Sequence, residues 1–294
     1  TIPLSVNYHF TRRCNYQCNY CFHTDKNGFN LPLEKAAEGM KLLKEAGTQK
    51  INFSGGEPFY IRNGRHIGDL CKVAKKLGLA VSIISNGSLI KENWFQQYAK
   101  FVDILAVSCD SFNDDTNKQI GRFSRSQRET HVEAVRRVAA LCAQYGVRFK
   151  LNSVITGENW EEDFAPSILE LKPMRWKVFQ CLELDGENSG DSALRDCKPY
   201  LIKDEQFQAF LDRHKHLECL VPESNDNMRS SYLILDERMQ FLDSSKGGKT
   251  PSKSILDVGV AAALDSSGFD EEAFFRRGGR YDWTLSGPAA SLDF

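Results

Sequence analysis

Two hydrophobic periodicities take turns along the first 180 residues, and that alternation constrains the fold more than any other feature. "LSVNYHF" (4–10) reads as a strand. "LPLEKAAEGMKLLKEAG" (31–47) reads as an amphipathic helix, with Pro32 near its start, Ala36, Ala37, Met40 and Leu43 on one face and Gly47 as C-cap. "KINFSGG" (50–56) is a short strand ending in glycines, and a helix follows around 66–77. Strands over "AVSIISNG" (80–87) and "DILAVSCD" (103–110) flank a helical "KENWFQQYAKF" (91–101), and a charged loop comes next. "ETHVEAVRRVAALCAQYG" (129–146) is a helix ended by Gly146, "RFKLNSVI" (148–155) a strand, "FAPSILEL" (164–171) a helix and "RWKVFQCLEL" (175–184) a strand. Strands alternating with helices predict an α/β fold, a parallel sheet with helices outside, as an open sheet or a barrel. Ligand sites in such folds gather at the C-terminal ends of the strands.

After residue 185 the alternation weakens. "DGENSGDS" and "SSKGGKTPSKS" are polar and turn-rich, while "DEQFQAFLDRHKH" and "FDEEAFFRRGGR" read as helix pieces. The expected division is 1–184 as the sheet-forming part and 185–294 as an extension packed on it, not a second domain. With 41 % hydrophobic and 26 % charged residues the chain can build a core. A net charge of -1 offers no global basic field for nucleic acid, so any anionic ligand must be met by a local cluster of cations. No apolar run approaches the roughly 18 residues of a membrane span. The chain opens on Thr1 with no secretory signal, and the expectation is that a preceding segment has been trimmed.

Nine cysteines sit at 14, 18, 21, 71, 109, 142, 181, 197 and 219. An odd, scattered set is not a disulfide framework, so a reducing, cytoplasmic compartment is expected, with the last six as small buried hydrophobes. Cys14, Cys18 and Cys21 stand apart: they crowd a loop after the first strand. A closed zinc site with His23 as fourth ligand is one reading, but no second close Cys or His pair accompanies the triplet. The sharper reading is a [4Fe–4S] cluster held by three thiolates, whose fourth iron stays open for a ligand to bind and be activated.

The spacing C-x3-C-x2-C, with Tyr20 before the last cysteine, resembles the signature of the radical S-adenosylmethionine superfamily. That resemblance implies that S-adenosylmethionine chelates the open iron and, on reduction, yields a 5′-deoxyadenosyl radical. "FSGGEP" (53–58) resembles the superfamily's GGE motif, which implies that Gly55, Gly56, Glu57 and Pro58 line the S-adenosylmethionine site. Glycines there allow close backbone approach, and Glu57 can accept from the methionine ammonium. "SNG" (85–87) and "SCDS" (108–111) end the next two strands, so Ser85, Asn86 and Ser108 are expected beside the same cofactor.

A longer series of stretches, among them "SVNYHFTRRCNYQCNYCFHT", "KINFSGGEPF", "FKLNSVI", "RWKVFQC", "GENSG", "LVPESN", "SYLILDE", "SKSILDVGV" and "RRGG", is similar to the viperin-like enzymes of that superfamily over nearly the whole chain. This resemblance implies a partial (β/α)6 barrel with a C-terminal extension. It implies conversion of CTP or UTP to the 3′-deoxy-3′,4′-didehydro nucleotide, a terminator of viral RNA synthesis, by hydrogen abstraction at C4′ and loss of the 3′-hydroxyl as water. It places Lys50, Lys150, Lys177 and Arg277 at the triphosphate, Asn7, Asn52, Ser54 and Asn152 along the nucleotide, Tyr20, Ser108 and Arg122 with S-adenosylmethionine, and Tyr232 at the electron or proton step. Lys150 and Lys177 fall within apolar strand runs, where an unpaired ammonium is costly. A flavodoxin- or reductase-type electron donor and the iron–sulfur assembly machinery are the implied partners, without nucleic acid or membrane.

The resemblance implies an N-terminal amphipathic helix in the animal members, which is not among residues 1–294; they end in Trp where this sequence ends "LDF", and "GRFSRSQRETH" (121–131) does not follow the family pattern. Two rivals stand beside this reading. One is another radical enzyme acting on a different substrate, the kinds with a second cluster needing further clustered cysteines. The other is a non-enzymatic iron–sulfur scaffold, which leaves "GGEP" and the strand lysines unexplained.

Overall fold

The computed structural model describes residues 1–124, 126 and 128–283. The alternation legible in the sequence becomes strands β1 (Ser5–Thr11), β2 (Lys50–Gly55), β3 (Ala80–Ser85), β4 (Ile104–Ser108), β5 (Arg148–Ile155) and β6 (Trp176–Gln180). Helices α1 (Leu33–Glu45), α2 (Arg65–Lys76), α3 (Glu92–Tyr98), α4 (Asp114–Gln119), α5 (His131–Tyr145) and α6 (Ala165–Leu171) come between them. β1 to β6 pair in chain order, every neighbour parallel. The terminators behave as their chemistry requires. Gly146 ends α5 in the left-handed region, and Thr130 with Glu133 forms a capping box at its start. α1 ends one residue before expected, at Glu45, so Ala46 is its C-cap and Gly47 follows with φ of 101°. α4 occupies what reads as a charged loop, opened by the Asn113 side chain accepting from Asp115 N.

Beyond Gln180 the chain contributes more sheet than its composition suggests. α7 (Asp204–His214) leads to β7 (Leu220–Glu223), which pairs parallel with β6. α8 (Asn225–Met228) follows, and then β8 (Ile234–Leu235) pairs parallel with β1 on the opposite side. β9 (Gln240–Asp243) and β10 (Thr250–Ser254) continue antiparallel from there. The order is β10-β9-β8-β1-β2-β3-β4-β5-β6-β7. β10 runs through "SSKGGKTPSKS", and its Pro251 is tolerated because the strand is at the edge. α9 (Ile255–Val258), α10 (Val260–Leu264) and α11 (Glu271–Arg276) complete the described chain. None of its helices is long and apolar enough to cross a membrane.

Period-two alternation sorts the sheet into two faces. Val6, Tyr8, Phe10, Ile51, Phe53, Val81, Ile83, Leu105, Val107, Leu151, Trp176 and Val178 form the main buried core with the helices. The opposite face carries Asn7, Asn52 and Ser82 in register on β1 to β3, then Ser108, Asn152 and Lys177 in register on β4 to β6. Asn52, Ser82, Asn152 and Lys177 are buried too, and Asn7 and Ser108 are half-buried.

Candidate active site

The cysteine loop leaves the C-terminal end of β1 and is tied to the end of β2. Gly56 N donates to Thr11 O and Glu57 N to Arg13 O, both at 2.8 Å. A Cβ on Gly55 would collide with Thr11 O, and one on Gly56 with the carbonyls of Arg12 and Arg13. The glycines thus serve first the chain's own approach to the residues that precede Cys14. Within the loop Cys21 N donates to Cys18 O, and Tyr16 N donates to the Cys14 sulfur at 3.4 Å. Cys14, Cys18 and Cys21 are free and half-buried, whereas Cys71, Cys109, Cys142, Cys181 and Cys197 are buried.

Burial pushes all three loop thiols up, Cys18 to about 11. They become thiolates only when positive charge is brought to them, which is what iron supplies. Among the described residues no three His, Cys, Asp or Glu side chains close around a single ion. His23, the fourth ligand that a zinc site needs, instead receives the Lys249 ammonium on Nδ1 at 3.0 Å. Three thiolates on separate irons do not have to converge on one point, so the all-thiol donor set fits an iron–sulfur cluster.

Glu57 is fully buried and holds the ends of β2 and β3 together. One carboxylate oxygen accepts from Ser85 Oγ at 2.7 Å and Phe59 N at 3.1 Å, the other from Asn86 N at 2.8 Å. Desolvation raises its carboxyl to about 7 against these hydrogen bonds. Ser85 and Asn86 are therefore bonded within the chain. Ser85 Oγ also accepts from Gly87 N, and the Asn86 amide reaches Asn15 and Ser88.

A second buried knot lies at the end of β4. Asp110 accepts from Tyr20 OH at 2.5 Å, from Arg122 Nε at 2.6 Å and from Val154 N at 2.8 Å. Tyr20 and Arg122 are thus brought together by a residue that sequence reasoning had not singled out, although "SCDS" contained it. Ser108 turns its carbonyl to His131 Nε2 at 2.9 Å. Asn188 donates to Tyr20 O, and Thr24 and Arg12 bond Glu187, so the segment after residue 185 grips the cysteine loop from the other side.

Along the polar face the candidate nucleotide contacts assemble. Asn7 donates to Leu233 O and Asn52 to Ser5 Oγ, while Asn152 keeps a buried, unpartnered Oδ1 and Ser54 is buried beside them. Lys50 donates to Tyr281 OH at 2.9 Å under the Tyr281 ring. Lys150 has no hydrogen bond or ion pair among the described residues; desolvation, with Arg175 and Arg277 nearby, lowers it to about 7. Lys177 is bonded to Glu223 and, at 2.6 Å, to Tyr232 OH, and burial pulls it well down. Arg277 stacks 3.8 Å over the Tyr232 ring and lies 3.5 Å from Glu223. β7 and the approach to β8 flank opposite sides of the sheet, yet Tyr232 OH donates to Glu223 at 2.8 Å. The sheet has curled into a partial barrel.

A description of the Radical SAM superfamily matches residues 8–165. The S-adenosylmethionine-dependent nucleotide dehydratase RSAD2 of Siniperca chuatsi is 57 % identical over 285 residues, 96 % of this chain and 80 % of that protein. The chain belongs to the nucleotide dehydratases of the radical SAM superfamily. An S-adenosylmethionine-dependent nucleotide dehydratase of Lacinutrix mariniflava is 35 % identical over 289 residues, covering 96 % of this chain and 59 % of that protein. Among solved structures, anSMEcpe with bound AdoMet has a TM-score of 0.67 at 17 % identity, covering 92 % of this chain and 81 % of that one, a likeness of fold. As a radical SAM enzyme this dehydratase works with a [4Fe–4S] cluster and S-adenosylmethionine. Besides Asp110, the sequence reading of the dehydratase passed over Glu223 in "LVPESN" and over Arg148, Arg175 and Tyr281, which surround the lysines. A carboxylate beside Pro222 at the end of an apolar run was the available signal for Glu223.

Proposed function

We propose that this enzyme converts CTP or UTP to its 3′-deoxy-3′,4′-didehydro analogue. The observation that carries the substrate class is the convergence of Lys50, Lys150, Lys177 and Arg277, from three strands and the residue that follows α11, on one buried face. A triphosphate brings about four negative charges, and a chain of net charge -1 can meet them only with such a cluster. Cys14, Cys18 and Cys21 would hold the iron–sulfur cluster. The Gly55–Pro58 turn, Ser85, Asn86, Ser108, Tyr20 and Arg122 would shape the S-adenosylmethionine pocket, several of them by holding one another. Together these cofactors supply a radical able to take the C4′ hydrogen of the ribose.

The protein's work is placement and exclusion of water. Asn7, Asn52, Ser54 and Asn152 line the way from the cysteine loop to the cations and would orient the nucleoside. Burial keeps the Tyr232 phenol protonated, so it can offer a proton as the 3′-oxygen leaves as water. One electron then completes the alkene, the single proton having left with the 3′-oxygen, and a proton from solvent restores the phenol. We assign the segment from 185 onward to covering the sheet and binding substrate, and a flavodoxin- or reductase-type protein to supplying electrons, with iron–sulfur assembly machinery loading the cluster.

The decisive experiment is a competition among all four nucleoside triphosphates with anaerobically reconstituted enzyme, S-adenosylmethionine and reductant. 5′-Deoxyadenosine should appear in step with the alkene from CTP or UTP. Release that ignores the nucleotide rules the reading out.

A further inference from the structure

Glu223 is fully buried at the end of β7, in register with Phe179 of β6. Its Oε1 is bonded to Lys177 and Tyr232, with Arg277 Nη1 at 3.5 Å. Oε2 has no partner. Among the described residues it is the only acidic side chain paired with any of Lys50, Lys150, Lys177, Arg148, Arg175 or Arg277. Its three partners come from β6, from the approach to β8 and from the end of α11, pieces that share no local structure.

We infer that Glu223 is a positioning residue of the triphosphate subsite, which locks Lys177, Arg277 and Tyr232 into one unit and supplies the counter-charge to Lys177 until the substrate's phosphates take over. This rests on the nucleotide reading above. Lys177 faces Glu223 of β7, Lys150 of β5, Arg277 beyond α11 and Tyr232, and its charge is felt at Lys50 of β2. Burial, Lys150 and Arg277 all favour loss of its proton; Glu223 opposes them. A neutral isostere at 223 leaves an ammonium among like charges in a dry site, and it discharges. Lowering the pH restores the charge, and with it the phosphate contact.

The test is KM and kcat for CTP and UTP against pH in Glu223→Gln, Glu223→Asp and wild type, with melting temperature and iron per chain as controls. Glu223→Gln should raise KM about tenfold more than wild type at the alkaline end, a pH unit being worth a factor of ten in charged fraction. Its KM should converge on wild type at the acid end, with kcat changed less. Glu223→Asp should keep the wild-type profile. A Glu223→Gln profile parallel to wild type reduces the residue to a structural strut. A KM lowered at every pH means that the carboxylate merely competes with phosphate; either result overturns the inference. If Glu223→Gln does not fold, a shifted profile in Glu223→Asp overturns it and an unshifted one upholds it. An inactive wild type sinks both readings, whereas an active wild type with an unshifted Glu223→Gln profile sinks this one alone.

Discussion

Tyr20 and Asp110, 90 positions apart, are joined by a 2.5 Å hydrogen bond that fastens the cysteine loop to the end of β4. Arg122 completes the arrangement through the same carboxylate oxygen.

Asp110→Asn leaves the Arg122 guanidinium buried without a counter-ion. Breaking such a pair from one side costs about 3–5 kcal/mol. Denaturant unfolding should show that loss, and iron per chain after reconstitution should fall because Tyr20 sits between two cysteines. A variant of wild-type stability and iron content removes Asp110 from this role.

At Gly56 the obstacle is backbone, which cannot swing away. Gly56→Ala should cost about 1–3 kcal/mol through overpacking and displace Cys14. Gly28→Ala, with open space around its Cβ, is the matched control. Iron content and melting temperature check both; equal values for the two variants contradict the close approach.

Lys150 gives the unliganded protein a particular response to pH. In the folded chain it holds its proton only below about 7, whereas an unperturbed lysine holds it to 10.5. Between those values the unfolded chain binds more protons, so stability rises with pH across that window, and the cost is full below it. Lys150→Met should be more stable than wild type at neutral pH and gain less on going to alkaline pH. Buried Lys249, lowered to about 8, keeps some of the slope. Denaturant midpoints at the two ends of the window decide; identical slopes show that Lys150 stays charged.

Tyr232→Phe removes one hydroxyl from the contact with Glu223 and Lys177. If the phenol serves the proton step, 5′-deoxyadenosine should still form while alkene falls by about a hundredfold, the low end of what acid–base assistance provides. Undiminished alkene assigns the phenol to packing under Arg277.

Much of the frame was legible because its signals are local. β1 to β6 announce themselves by period-two runs, and Lys150 and Lys177 by charge within apolar strands. β7 to β10 were hidden for a physical reason. Four residues or fewer, as in β7, β8 and β9, carry too little pattern, and Pro251 hides β10, so these strands exist by virtue of the neighbour they add to. Ser85, Asn86 and Glu57 illustrate the other limit. Their side chains suit a ligand by type, yet in the structure the Glu57 carboxylate accepts from Ser85 Oγ and the Asn86 backbone N–H, and the Asn86 amide bonds Asn15.

By itself the amino-acid sequence determined which residues alternate inward and outward and how three thiols are spaced, since neighbours in the chain are held close by covalent geometry. Only the tertiary structure decided that Lys177 meets Tyr232 across 55 positions and that both meet Glu223. Charge interactions and hydrogen bonds depend on separation, and the separation of residues so far apart is set by the curl of the sheet.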